Sequence, residues 1–466
     1  MRRALLFLLL LTAPPLRAQT LQESVTKYVA LNAPVVAITG ASVIDGTGAP
    51  PKANQTIVLR DGRIEWVGPS AEATVPADAE IVAGEGMTVI PGIVGLHDHT
   101  FYTTNARRTQ GTYTAPRLYL ASGVTTIRTT GSYHPYSELN LKQAIEAGQE
   151  PGPRIHVTGP YLTGVGGAGY MTQVGTEEDA RRVVAYWAEE GATWFKAYTM
   201  IRADELAAVI DEAHKRGLKV TGHLCSVSFR EAVALGIDNL EHGFFTNTDY
   251  VTREKDECPQ DFRTTLATVD IDSDAVRQTF REMIEHDVAL TSTLAIYELL
   301  IPNRPPIDPR MLEALSPEAE AEYLKAREEI AAQETSVWPA LFERAMTFER
   351  AFHQAGGLLA AGVDPTGVGG ALAGFGDQRN YELLVEAGFT PEEAIRVMTL
   401  NGATVLGEAE QYGSIEAGKR AELVILEGNL AANPGVIRKV RYVFKDGVAF
   451  DPAKLLADVK DSVGIR

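Results

Sequence analysis

Two histidines, His97 and His99, close the run Val89-Ile90-Pro91-Gly92-Ile93-Val94-Gly95-Leu96-His97-Asp98-His99-Thr100. The run is apolar and reads as a β-strand, in which residues i and i+2 project from one face. Both imidazoles therefore leave the strand together, a chelating pair suited to a borderline cation such as zinc. One such pair proves little. Its weight comes from Lys196, His223, His242 and Asp364, which end later strand-like runs in the order a metal-dependent hydrolase needs.

His223 closes Val220-Thr221-Gly222-His223, and His242 stands in Asn239-Leu240-Glu241-His242-Gly243. Any single histidine is more often hydrogen-bonded than metal-bound, but four at the ends of apolar strands point to a metal site. His156 and His286 open or precede strands, and His214 and His353 lie in helices, so these four are set aside. Lys196 sits in Ala192-Thr193-Trp194-Phe195-Lys196-Ala197-Tyr198, where apolar neighbours disfavour its charge. By itself it could equally snorkel to solvent or pair with an acid. Asp364 ends Leu358-Leu359-Ala360-Ala361-Gly362-Val363-Asp364-Pro365; its bland role is a helix cap, and beside a metal-bound water it is a proton acceptor. Tyr198, His134 and Tyr161 follow strand ends and are candidate substrate contacts, and Arg128 could clamp a substrate carboxylate or neutralise a nearby acid.

These residues need strands to carry them. Residues 86–403 alternate strands with amphipathic helices, and strands ending near His99, Thr130, Thr163, Tyr198, Leu224, Gly243, Leu294 and Asp364 predict an α/β fold, a (β/α)8 TIM barrel. In such a barrel the chemistry lies at the C-terminal strand ends. A helix over Ala203 to Arg216 places Leu206, Val209, Ile210 and Ala213 on one face and stops at Gly217. The long stretch from Tyr297 to His353 is either a lid or a solvated helical insert. Residues 35–85 and 404–450 carry short alternating strands with Asp-Gly turns, which are expected to join in a small composite β-sandwich.

With these residues in place the chain resembles the amidohydrolase superfamily, in its imidazolonepropionase-like and prolidase-like dipeptidase branch. The carriers are Pro91 to His99, Lys196, Gly222-His223, Glu241-His242-Gly243, Gly362-Val363-Asp364 and the closing run Gly413 to Val424. The resemblance implies two divalent cations, usually zinc, with Lys196 carboxylated and bridging both. His97 and His99 would bind the first cation with Asp364, and His223 and His242 the second. It further implies hydrolysis of an amide or peptide-like C–N bond, of the dipeptide or N-acyl amino acid class, by a metal-bridging hydroxide with Asp364 as general base. The family commonly has Asp at the place of Gly95, Thr or Ser at Val363 and Asp at Glu422; none of these departures removes a ligand. A mononuclear deaminase or cyclic amidase, a lactone or phosphoester hydrolase on the same site, and a silent exported metal-binding scaffold are the alternatives.

Composition narrows the partners. The 466 residues are 45% hydrophobic and carry a formal charge of -18, a globular chain whose acidity disfavours nucleic acid. A small-molecule substrate is expected, and homo-oligomerisation stays open. Residues 1–18, with Arg2, Arg3 and the apolar run Ala4 to Leu11, read as a signal peptide; the product would be secreted or periplasmic, with no membrane span after its removal. Cys225 and Cys258 are too few for a disulfide framework and are expected to be free thiols. Gly164-Val165-Gly166-Gly167-Ala168-Gly169 fits GxGxxG, but the next helix starts near Thr176, so no helix N-terminus meets a phosphate there and an active-site loop is expected. Gly413 to Lys419 has Walker spacing but continues with Arg420 in place of Ser or Thr, and is expected to be a turn.

Overall fold

The computed structural model describes residues 21–465. Every segment read as an inner strand is one: Ile93–Asp98, Val124–Thr129, Thr158–Gly164, Trp194–Ala197, Lys219–Gly222, Asn239–Glu241, Ala289–Ser292 and Leu359–Ala361. All are paired in parallel, with helices between them such as Glu177–Glu190, Ala203–Lys215 and Asp274–Glu285. Their near-continuous burial explains the apolar runs, since a parallel strand covered on both faces has no polar side.

The hydrogen-bond ladder runs in two arcs where the sequence reading expects one closed ring. One arc joins Arg154–His156, Val124–Thr129 and Ile93–Asp98; the other begins at Thr172–Val174 and Thr158–Gly164 and ends at Leu359–Ala361. The arcs meet through single contacts. Ser132 and Pro160 form a parallel bridge on one side. On the other, the Asp364 amide donates to the His97 carbonyl at 2.7 Å. Gly362 makes that approach possible, because a Cβ there would stand 2.2 Å from the His97 nitrogen.

The strands from the two chain ends also differ from the expected sandwich. They form one nine-stranded sheet, in which Leu423–Glu427 pairs antiparallel with Met87–Pro91 and Val35–Val43 pairs with Lys52–Arg60. Val36, Ile38, Ile57 and Leu59 from the first half share one apolar cluster with Leu423, Ile425 and Phe444 from the second. A single sheet can cover its own inner face in this way, which removes the need for two separate sheets. Met87–Pro91 runs through Gly92 directly into Ile93–Asp98, so the β module is tethered to the strand that carries His97.

The stretch after Leu294 is packed rather than solvated. Helices Pro309–Ala314, Pro317–Ala331 and Trp338–Gln354 bury Met311, Tyr323, Ala326, Leu341, Phe342 and Phe348. Its first turn lies behind the site, with Tyr297 stacked on Phe245 at 3.8 Å and 5.6 Å from the His242 ring. The cysteines correct the expectation of free thiols, for Cys225 and Cys258 form a disulfide with Cα atoms 5.0 Å apart. A sequence separation of 33 residues carries no pairing signal; the fold brings the segment after Gly243–Thr246 back against the end of Lys219–Gly222. Among the described residues no helix is long and apolar enough to cross a membrane. The segment read as a signal peptide lies outside the described residues.

Candidate metal centre

The strand pleat delivers what it promised at the first pair. His97 and His99 leave the same end of Ile93–Asp98 with ring centroids 5.4 Å apart. His242 and Asp364 reach the same place by a different device, since both follow short strands and adopt left-handed backbone, with φ of 70° and 50°. Such φ values are uncommon outside glycine and cluster at functional sites. One ligand atom from each of His97, His242 and Asp364 lies within 4.8 Å of the others. His99 Nε2 is 3.3 Å from Asp364 Oδ1, and His223 packs against His242 with centroids 4.3 Å apart. Lys196 Nζ is 3.0 Å from His97 Nε2. The six residues singled out as ligands thus converge, although the tightest triple crosses the expected partition, in which His97 and His242 serve different cations.

Contacts supplied by the fold aim the imidazoles. Glu241 places one carboxylate oxygen 2.7 Å from His97 Nδ1, leaving Nε2 for the centre. The other oxygen of Glu241 accepts from Arg128, Thr221 and Asn239. Thr293 Oγ1 lies 2.8 Å from His242 Nδ1, and the buried Nε2 of His242 has no hydrogen-bond partner among the described residues. A buried, unpaired imidazole nitrogen fits a cation, as does the donor set of imidazoles and carboxylate, and His242 Nδ1 lies 3.9 Å from Asp364 Oδ2.

Electrostatics agree with this. Burial, with help from Lys196, drives His97 well below the usual imidazole range, and burial does the same to His242, so both are neutral and able to ligate. His223 is pushed down to about 3, by burial first and Lys196 second. Burial alone would raise Asp364, but His97, His99 and Lys196 more than offset it and hold the carboxylate below its usual range. Burial lowers Lys196 to about 8 despite the nearby Glu241 and Asp364 carboxylates.

Position 95 explains one departure from the family pattern. A Cβ at Gly95 would stand 1.9 Å from Asp98 Oδ2, so the Asp98 carboxylate occupies the space that a side chain at 95 would fill. Asp98 Oδ1 accepts from the Val363 amide at 3.2 Å, next to Asp364. A carboxyl group is therefore kept next to Val363 and Asp364, supplied from a different residue, and burial raises it well above the usual carboxylate range.

A cavity of about 210 Å³ opens onto the centre, lined by His99, Lys196, His223 and Asp364. Tyr161 and Tyr198 line it as expected. Arg128 and His134 do not, and both are corrected as substrate contacts. Arg128 points to the interior, fully buried, paired with Glu241 and stacked 4.4 Å from the Trp194 ring. His134 is exposed at the N-terminus of helix Pro135–Glu146. The wall holds residues to which the sequence reading gave no role, namely Arg108, Tyr133, Tyr170 and Thr366. Tyr133 lies four residues after the end of Val124–Thr129, a position that could have flagged it, whereas Arg108 opens the short strand Arg108–Gln110 and carried no such signal. Tyr170 and Met171 come from the glycine-rich turn after Thr158–Gly164, which is a cavity loop; the next helix starts at Glu177, as its rejection as a dinucleotide turn requires.

Known proteins share this frame. Over most of its length the fold is similar to a candidate prolidase from Bifidobacterium longum, at 26% identity and a TM-score of 0.66, covering 92% of this chain and 99% of that one. A Xaa-Pro dipeptidase with methionine bound in its active site is similar at 20% identity and a TM-score of 0.68, covering 90% of this chain and 100% of that one. In sequence, an imidazolonepropionase from Clostridium tetani is 52% identical over 60 residues, a stretch that spans 12% of this chain and 14% of that protein. The model of the amidohydrolase family matches residues 88–267 and 344–450, more than half of the chain. The protein therefore belongs to the amidohydrolase family, metal-dependent hydrolases of carbon–nitrogen bonds.

Proposed function

We propose that the protein hydrolyses an amide or peptide-like C–N bond in a dipeptide or N-acyl amino acid, using two divalent cations, with zinc as the expected metal. His97, His99, His223, His242 and Asp364 would hold them, with Lys196 carboxylated between them. The observation that carries this reading is the convergence of neutral, buried His97 and His242 with ionised Asp364, which itself lines a cavity together with His99, Lys196 and His223. Bound cations would supply Lewis acidity to the carbonyl and acidify a water.

The chain's own residues do the rest. Asp364, ionised and directly beside His99, accepts the proton of the attacking water and returns it to the departing nitrogen as the C–N bond breaks. Lys196, lowered to about 8, has a share of neutral amine able to form an N–C bond with carbon dioxide, losing one proton. That reaction replaces a cation with anionic oxygen donors, which a pair of dications favours. Glu241 holds His97 so that Nε2 is left for the centre, and Thr293 fixes the ring of His242. A cavity of about 210 Å³ is smaller than the roughly 300–1,000 Å³ typical of drug-sized ligands, which suits a small substrate. Similarity to a candidate prolidase at 26% identity supports a dipeptide.

A single-cation reading, deamination or cyclic-amide opening, is favoured by the close triple of His97, His242 and Asp364. In that reading Lys196 is dispensable. We further read the two strand arcs as one functional cylinder over residues 86–403, the segments 35–85 and 404–450 as its companion module, and the protein as exported, which the disulfide supports. Metal analysis of purified protein, paired with a dipeptide and N-acyl amino acid screen with and without bicarbonate, tests the central reading. Two equivalents of transition metal and bicarbonate-stimulated amide cleavage are expected; one equivalent or less refutes the binuclear site.

A further inference from the structure

The hairpin formed by Phe101–Thr103 and Arg108–Gln110 carries two adjacent arginines with different fates. Arg107 is committed to structure. It makes a two-pronged pair with Glu322, at 2.6 and 2.8 Å, and donates to the Gly464 carbonyl. The Arg108 side chain makes no hydrogen bond or ion pair among the described residues. Its guanidinium lies instead against two aromatic rings, 4.3 Å from the centroid of Tyr133 and 3.9 Å from that of Tyr170. Stacking of this kind fixes the plane of a guanidinium while leaving its in-plane N–H donors unused.

The rings also set where those donors stand. Tyr133 contacts Tyr161 at 5.3 Å, Tyr161 contacts Tyr198 at 5.5 Å, and Tyr198 contacts His223 at 4.5 Å. This aromatic wall runs unbroken from Arg108 to the metal centre along one side of the cavity that both line. Arg108 is exposed, lines the cavity and has no acidic partner among the described residues, so in a chain of formal charge -18 it is a local attractor for anions. The same cavity is lined by Asp364, His99 and His223, where an anionic group of the substrate would meet the general base.

We infer that Arg108 is the subsite for a substrate carboxylate, so that the preferred substrates carry a free carboxylate on the leaving-group side of the scissile amide. Tyr133 and Tyr170 are its positioning residues. This rests on the proposed amide hydrolysis for its kinetic arm alone. A planar guanidinium forms two parallel hydrogen bonds to a carboxylate, which a neutral amide cannot match.

The test uses full-length, metal-loaded protein, wild type and Arg108→Gln and Arg108→Lys. Acetate release is followed from N-acetyl-L-leucine and from N-acetyl-L-leucinamide, which differ only in the terminal charge. Arg108→Gln is expected to lower kcat/KM on the acid by about 30- to 1,000-fold, chiefly through KM. On the amide it should change by less than about 3-fold, and Arg108→Lys should recover part of the loss on the acid because it keeps the charge but not the fork. Calorimetric titration with L-leucine and L-leucinamide reads the same contact without turnover. If wild type cleaves neither compound but binds leucine through Arg108, the hydrolytic reading fails and the carboxylate subsite stands. Equal losses on acid and amide, or equal binding of leucine by wild type and Arg108→Gln, would overturn the subsite.

Discussion

Replacing Glu241 by Gln exposes how much of the centre depends on one buried carboxylate. Both of its oxygens act only as acceptors, one facing His97 Nδ1 at 2.7 Å and the other facing Arg128, Thr221 and Asn239. Glutamine has one acceptor oxygen and one NH2, so either orientation sets a donor against a donor. In either orientation the fully buried Arg128 guanidinium loses its counter-charge, and with the NH2 toward Arg128 it loses its acceptor as well. With the NH2 toward His97, the imidazole must move its proton to Nε2 and can no longer ligate. Breaking a buried pair by removing one partner costs about 3–5 kcal/mol, and loss of a carboxylate that orients a metal-binding histidine weakens metal affinity about 10- to 100-fold. Urea unfolding of metal-free protein measures the first quantity, and zinc competition against a chelator the second. Adding Arg128→Met removes the orphaned charge, so the double variant should regain a large part of the lost stability. Unfolding of Glu241→Gln within about 0.5 kcal/mol of wild type, or strict additivity with Arg128→Met, would refute the reasoning.

Three further outcomes are expected. Asp364→Asn should lower kcat by about 10²- to 10⁴-fold while the histidines still retain cations, measured by steady-state kinetics and metal analysis; an unchanged kcat removes Asp364 from proton transfer. Glu349, fully buried on helix Trp338–Gln354, is raised by burial to about 8. Its unfolded form ionises near pH 4.5 and its folded form holds the proton to about 8, so stability falls across that window and levels off above it. Glu349→Gln should therefore unfold at higher urea than wild type at pH 8, by on the order of 4 kcal/mol at most, with a much smaller gap at pH 4.5. Cys225→Ser should lower stability by about 3–4 kcal/mol, the loop-closure value for a 33-residue separation, and treatment of wild type with a thiol reductant should reproduce the loss.

The strand ends were legible because they depend on local signals. Short apolar runs, closed by Gly, His or Asp, mark both where a buried parallel strand lies and which residue tops it. His97, His99, Lys196, His223, His242 and Asp364 were visible for the same reason. Helix limits such as Ala203–Lys215 and the start at Glu177 followed from apolar spacing and capping. The reading went astray where a position is decided by what stands opposite. Alternation assigns Arg128 to one face of its strand but does not say whether that face is the interior or the mouth, and Glu241 and Trp194 claim it from other strands.

The amino-acid order alone thus determined the candidate ligands, the parallel α/β core and the family to which the chain belongs, because each is written in side-chain chemistry and short-range periodicity. Only the tertiary structure decided that His97, His242 and Asp364 bring one ligand atom each within 4.8 Å of the others, that Asp98 fills the space beside Gly95, that Cys225 meets Cys258 and that Arg108 rather than Arg128 faces the cavity. Each of those contacts joins residues whose distance in space is set by the packing of whole strands and loops, a quantity that no local pattern encodes.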